Sequence, residues 1–210
     1  PFEPIIDEDL APGDILYIPP GFPHDGFTHE TALNYSVGFR GPNGRDLISS
    51  FADYALENDL GSEHYSDPDL TVREHAGRIE EYELERLRGM MIEMISKPDD
   101  FKQWFGSFVT TPRHELDIAP AEPPYEPQEV VDALMDGETL VRLNGLRVLS
   151  VSGSVFVNSE PLDVSDAAAA DALSRYTTLG KAELGEALTN PVFAEELTAL
   201  INQGYWFFDE

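Results

Sequence analysis

With 210 residues, 41% of them hydrophobic and 10% aromatic, the chain has enough apolar material for one or two packed cores, which excludes disorder throughout. Thirteen Lys and Arg against forty Asp and Glu leave a formal charge of −27, a field that repels a phosphate backbone, so no direct nucleic-acid partner is expected. The absence of cysteine excludes a disulfide scaffold, a zinc ribbon, an iron–sulfur site and a thiol nucleophile and fits a reducing compartment, and no run of about 18 apolar residues offers a membrane span.

The chain opens at Pro1 without a methionine and runs straight into strand-like sequence, so it reads as a piece of a longer protein. Residues 14–18 are a short apolar run stopped by Pro19, Pro20 and Gly21. Residues 31–39 alternate across two faces, with Leu33, Tyr35 and Val37 on one and Asn34, Ser36 and Gly38 on the other. Two strands joined by a turn are expected, one greasy face and one small polar face suiting a pocket wall.

From Asn43 the period becomes helical. Leu47, Phe51, Tyr54 and Ala55 predict a helix that starts at Asn43 or Asp46 and stops by Gly61. Ile79, Tyr82, Leu87, Met90, Met91, Met94 and Ile95 form the stripe of a second helix, ended by Lys97 and Pro98. Asp99 or Asp100 is the expected N-cap of a third, carrying Phe101, Trp104, Phe105 and Phe108. So much aromatic and methionine surface calls for burial against a subunit partner or an intrachain core.

Pro120, Pro123, Pro124 and Pro127 make residues 117–128 an extended linker and a domain boundary. Beyond it the pattern predicts a helix over 127–135, strands over 140–143 and 146–151 joined as a hairpin through Asn144-Gly145, and a third strand over 154–158. Helices over 167–175 and 191–203 and a closing strand over 204–208 complete the order. A small sheet among helices in about 80 residues resembles a winged helix.

The segment richest in chemistry is Pro12 to His24 (PGDILYIPPGFPH), in which a rigid strand would deliver His24 as a candidate metal ligand, a surface or core histidine being the plainer alternative. Its spacing, G-x5-P-x-G-x2-H at Gly13, Pro19, Gly21 and His24, is that of the second cupin motif, with Thr28 in place of the usual Asn four residues after the histidine. Together with Asn34 to Arg40 (NYSVGFR) it resembles the JmjC branch of that superfamily. Phe51 to Tyr54 (FADY), Tyr65 to Pro68 (YSDP), Phe101 to Gly106 (FKQWFG), Arg113 to Pro120 (RHELDIAP) and Gly204 to Phe208 (GYWFF) resemble, in that order, the bacterial ribosomal oxygenases. The likeness covers essentially the whole chain, as the C-terminal part of a longer member.

This resemblance implies an α+β fold. Residues 1–42 would be the C-terminal edge of a cupin/JmjC double-stranded β-helix, 43–116 a helical dimerisation region, 117–127 a Pro-rich linker and 128–210 a winged-helix-like domain. It implies a cytoplasmic oxygenase dependent on Fe(II) and 2-oxoglutarate that hydroxylates an arginine of a basic large-subunit ribosomal protein and forms a homodimer. His24 matches the second histidine of a two-histidine, one-carboxylate triad, and Asn34 and Ser36 resemble positions lining the co-substrate site.

None of the five histidines begins an H-x-D or H-x-E, and the family's basic anchor for 2-oxoglutarate lies upstream of the matched segment. The chain alone is therefore expected to be inactive and to hold iron weakly. His29, His64, His75 and His114 read as surface or capping residues, Glu80, Glu81, Glu83 and Glu85 as a solvated helix face, and Tyr205 to Phe208 as strand core rather than a base-stacking platform. A rival reading is an acidic dimerisation and docking module with no activity of its own. A metal-dependent cupin of another chemistry, such as a sugar isomerase, is disfavoured by the helical and winged-helix-like regions.

Overall fold

The structure is a computed structural model that describes residues 3–38 and 41–209. The chain separates into two compact units, Pro1–Gly41 and Pro42–Glu210.

In the first unit, two turns punctuate the chain. Asp14 N–H bonds the Ala11 carbonyl (3.0 Å) and Phe22 N–H bonds that of Pro19 (3.3 Å), with Gly13 and Gly21 at φ +99° and +83° where a side chain would be strained. The expected turn at Pro19-Pro20-Gly21 is therefore present. The expected strands are not formed over residues 3–38, and the last residue of the second, Phe39, lies outside the described residues, as does Arg40 of the NYSVGFR run. A strand exists only where a second chain segment accepts its amides, and neither run finds a ladder partner among the described residues. Ile15, Tyr17, Leu33, Tyr35 and Val37 all stand exposed as a result.

The second unit opens with α1 (Gly44–Glu57), whose N-cap Asn43 accepts from the amides of Arg45 and Asp46 while Asp46 returns a bond to the Asn43 amide. Asn58 caps its end, three residues before Gly61. The helix α2 (Glu81–Ile95) starts at a Glu80–Glu83 capping box, and α3 (Pro98–Thr110) has Lys97 as N-cap and Pro98 at its first position. Asp99 and Asp100 thus lie inside the first turn, complementing the helix dipole rather than capping it.

Part of the helical aromatic surface is buried within the chain. Phe51 meets Trp104 edge-on (5.2 Å, 88°), and Trp104 donates its indole N–H to Ser50 Oγ at 3.0 Å. The α2 helix has no buried residue: Leu84, Leu87, Met91 and Ile95, at spacings of three and four, form an exposed stripe. Salt bridges fasten the preceding loop to α2, Arg73 to Glu83 and Arg86 to Asp67 and Asp69.

After the Pro-rich segment come α4 (Pro127–Asp136), β1 (Leu140–Arg142), β2 (Val148–Val151), β3 (Ser154–Val157), β4 (Glu160–Leu162) and α5 (Ala167–Arg175). There follow β5 (Thr178–Leu179), α6 (Lys181–Leu184), a 3₁₀ turn over Gly185–Thr189, α7 (Pro191–Asn202) and β6 (Trp206–Phe208). Two antiparallel sheets result, ordered β5-β1-β6 and β2-β3-β4.

The Asn144-Gly145 turn exists, with Leu146 N–H on the Leu143 carbonyl at 3.1 Å, but it does not close a hairpin. Both edges of β1 are taken by β5 and β6, so β2 departs to the other sheet. The hairpins lie instead at Ser152-Gly153 and Asn158-Ser159, two-residue loops with positive φ at both positions.

The main core gathers Val130 and Leu134 of α4, Leu140 of β1, Leu173 of α5, Phe193, Leu197 and Ile201 of α7 and Trp206 of β6. Burying each such large side chain stabilises the fold by about 1.5–3 kcal/mol. The α3 helix packs on the β2-β3-β4 sheet: Gly106 lies against Phe156, Arg147 donates to the Val109 carbonyl (3.1 Å), and the Ser159 amide donates to Thr110 Oγ1 (3.1 Å). Among the described residues no helix is long and apolar enough to cross a membrane.

Candidate functional site

His24 follows the Gly21 turn and is exposed; its Nδ1 lies 3.4 Å from the carbonyl oxygen of Phe22. Asn34 and Ser36 are exposed on the later extended stretch. The two-residue separation of Asn34 and Ser36 gives them a common side wherever that stretch is pleated.

An iron centre of the two-histidine, one-carboxylate kind requires three ligands converging on one point. Among the described residues no group of three or more His, Cys, Asp or Glu side chains is close enough to hold a metal ion. The pairing of a histidine with a carboxylate in this unit, His29 Nε2 with Asp9 Oδ1 at 3.6 Å, joins two widely exposed side chains. The described residues therefore do not form an Fe(II) triad by themselves.

A second feature was hidden from the sequence. The Pro-rich stretch read as a linker is pinned along the end of α7: Ala121 N–H donates to the Asn202 carbonyl (3.1 Å), and the Asn202 side chain exchanges bonds with the Tyr125 backbone (2.8 and 3.0 Å). Gly204, at φ +80°, lies so close to the Ala119 carbonyl that no Cβ fits between them. Between this stretch and β6 runs a groove of about 490 Å³. Trp206 lines it, and its indole N–H finds no hydrogen-bond partner among the described residues. Arg142, opposite Trp206 across the sheet, has its pKa pushed down by burial, and its Nη1 is likewise without a partner there. The only sequence signal for this groove is the pairing of a proline cluster with an aromatic closing strand about 80 residues later.

The chain is a mixed helix-and-sheet arrangement with a JmjC segment followed in sequence by a winged-helix part. Residues 93–207 match the model of the ROXA-like winged helix, and residues 1–47 match that of the JmjC domain. The chain belongs to the ROXA-like winged-helix family. It is 56% identical over 209 residues to the ribosomal protein uL16 3-hydroxylase of Escherichia coli K12, a match covering 100% of this chain and 56% of that protein. It is 28% identical over 187 residues to a probable ribosomal oxygenase of Haemophilus influenzae, covering 83% of this chain and 46% of that one. The crystal structure of the Escherichia coli ribosomal oxygenase YcfD superposes with a TM-score of 0.93 at 56% identity, covering 100% of this chain and 58% of that one. YcfD in complex with cobalt and 2-oxoglutarate superposes at 0.92 with the same identity and coverage. The chain thus spans little more than half the length of these Escherichia coli relatives.

Proposed function

We propose that this chain is the C-terminal part of an Fe(II)- and 2-oxoglutarate-dependent oxygenase that hydroxylates an arginine of a basic large-subunit ribosomal protein. The observation that carries this reading is 56% identity, sustained over the whole chain, to a uL16 3-hydroxylase. The intact spacing of Gly13, Pro19, Gly21 and His24 supports it. In this reading His24 contributes one metal ligand, the other two come from sequence outside this chain, and Asn34 and Ser36 line the co-substrate site. Residues 1–42 belong to the edge of the double-stranded β-helix, whose strands form only beside their neighbours.

Residues 43–116 serve as the dimerisation region, 117–127 as the linker, and 128–210 as the winged-helix-like domain. The exposed stripe of Leu84, Leu87, Met91 and Ile95 supports a homodimer. The winged-helix shape does not bring nucleic-acid binding with it. The helices α4, α5 and α7 carry one cation between them, Arg175, and a −27 chain repels phosphate. A ribosomal-protein substrate places the enzyme in the cytoplasm, away from membranes.

That no three His, Cys, Asp or Glu side chains converge on a metal position among the described residues favours a second reading, an acidic dimerisation and docking module without activity of its own. The full-length protein separates the two. His24→Ala should abolish substrate-coupled 2-oxoglutarate turnover and the added oxygen on the target arginine while the circular dichroism spectrum stays the same. Near-normal hydroxylation by His24→Ala would overturn the metal assignment, and a full-length wild-type protein without turnover would favour the module.

A further inference from the structure

We propose that the groove beside the 119–125 stretch is a pocket for an arginine or lysine side chain on the surface of a basic protein, which it recognises through side chains alone. That this protein is the ribosomal substrate rests on the function proposed above.

The groove admits a side chain and not a strand. The 119–125 stretch already lies against β6, with Ala119 at Gly204 and Tyr125 at Phe208, and Trp206 is fully buried, so neither the backbone of that residue nor its indole is offered to a partner. What reaches solvent is the rim: Phe207 is 46% and Tyr125 39% exposed, and Glu122, Pro123, Pro124 and Glu129 are exposed beside them. The volume of about 490 Å³ lies within the range of about 300–1,000 Å³ in which pockets bind ligands, and it takes one long side chain without displacing the stretch.

The chemistry of the walls names the occupant. Tyr125 and Phe208 meet edge-on at 5.4 Å, and with Pro123 and Pro124 they offer ring surfaces on which an aliphatic stem or a planar guanidinium packs. Glu122 and Glu129 bring the charge: no Lys, Arg or His lines the groove, and residues 115–141 contain eight carboxylates and no cation. Among the described residues neither carboxylate is ion-paired. Glu129 accepts the Glu126 amide at Oε2 (2.9 Å), which leaves its other oxygen for a donor from outside. Beyond that cap the acidity works against the helix. Glu129, Asp132 and Asp136 repel one another at spacings of three and four along α4, and no basic residue stands in its last turn, where the dipole favours one. A cation in the groove relieves this repulsion, whereas a second copy of the −27 chain would add to it.

The test uses the full-length protein and free ribosomal protein uL16, with affinity read by biolayer interferometry. The groove itself is read by fluorine NMR of fluorotyrosine-labelled protein, the Tyr125 resonance being assigned with Tyr125→Phe. Glu122→Gln combined with Glu129→Gln should weaken binding at least roughly fivefold. Glu160→Gln combined with Asp163→Asn removes the same charge at exposed positions outside the groove and should weaken it less than about twofold. Glutamine at position 129 still accepts the Glu126 amide, so α4 stays capped. Tyr125→Leu, which keeps the charge and removes the ring, should weaken binding as well, and uL16 should move the Tyr125 resonance. Equal losses from the two charge-removing pairs, or a Tyr125 resonance that uL16 leaves unmoved, overturn the proposal, since the field of the whole chain then carries the attraction. A resonance that moves with protein concentration alone assigns the groove to a second copy and overturns it as well. Binding of uL16 through the groove without its hydroxylation keeps the docking site and refutes the catalytic reading; hydroxylation with no groove effect does the reverse.

Discussion

The backbone of Gly106 in α3 rests against the ring of Phe156 in β3, so closely that a Cβ at position 106 would overlap three ring carbons. This contact seats the last of the three N-terminal helices on the β2-β3-β4 sheet. Phe156 is fully buried, so its ring has nowhere to swing.

Gly106→Ala therefore sets two effects against each other. Alanine favours a helix by about 1 kcal/mol over glycine, whereas overpacking a closed core costs about 1–3 kcal/mol. With a buried ring as the obstacle, the second effect wins, and thermal or urea unfolding should show a destabilised protein. Phe156→Leu should cost stability alone yet cost less in the Gly106→Ala background, a coupling that a double-mutant cycle reads directly.

The helices were largely legible because their signals are local. Asn43 and Asp46 cap each other's turn, Pro98 and Pro191 sit at first helical positions, and the stripe of α7 runs to one core. The hairpin at Asn144-Gly145 misled because a turn residue reports its own φ, not which edge of the preceding strand is free. The two-residue β5 and four-residue α6 are too short to show any period, and only Leu140 across from Leu179 reveals the former. The His24 proposal rests on a local spacing with Gly13, Pro19 and Gly21, whereas the groove at β6 depends on bonds between Asn202 and Tyr125, 77 positions apart.

Arg73 clasps Glu83 with two bonds (2.8 and 2.7 Å) and reaches Tyr82 Oη at 3.0 Å, holding the loop before α2 in place. The Arg73 hydrogen bonds, followed by the Glu80 amide, hold the Glu83 carboxyl below its ordinary value of 4.5. A depressed folded pKa means that this fastening is fully present above the ordinary value and is lost as pH falls through the lower folded one. The hydrogen-exchange protection of residues 66–80, taken relative to the intrinsic rate at each pH, should fall on acidification below about pH 4.5. Glu83→Gln should show the lower protection already at neutral pH, with little further change; a segment equally protected in both proteins would show that the pair holds nothing.

The 210-residue chain should retain no tightly bound iron, since one imidazole cannot replace three converging ligands. Anaerobic Fe(II) titration followed by dialysis should leave the chain metal-free. One iron per chain at sub-micromolar affinity would require ligands other than those the cupin spacing identifies.

The stripe on α2 predicts association. Met91 is 66% exposed at its centre, flanked by Leu87 and Ile95 one turn either way. Sedimentation should report twice the chain mass, and Met91→Asp should give monomers of unchanged helicity, because a carboxylate placed opposite its symmetry mate repels across the two-fold. A wild-type chain that stays monomeric at high concentration would contradict the stripe's role.

The charge has a kinetic consequence. Ribosomal proteins are basic, and a surface at −27 raises their local concentration before contact, so association with an unassembled ribosomal protein should be fast at low ionic strength. Exposed charges are screened beyond about 8 Å at physiological salt, so the association rate should fall as salt rises while the dissociation rate changes little. The same field opposes rRNA and duplex DNA, so free uL16 should be preferred to the assembled large subunit, and a DNA duplex should fail to bind despite the winged-helix shape. Stopped-flow measurements across a salt series distinguish steering from an acidity that serves solubility alone. A flat response, or tight binding of duplex DNA, would remove electrostatic docking from the account.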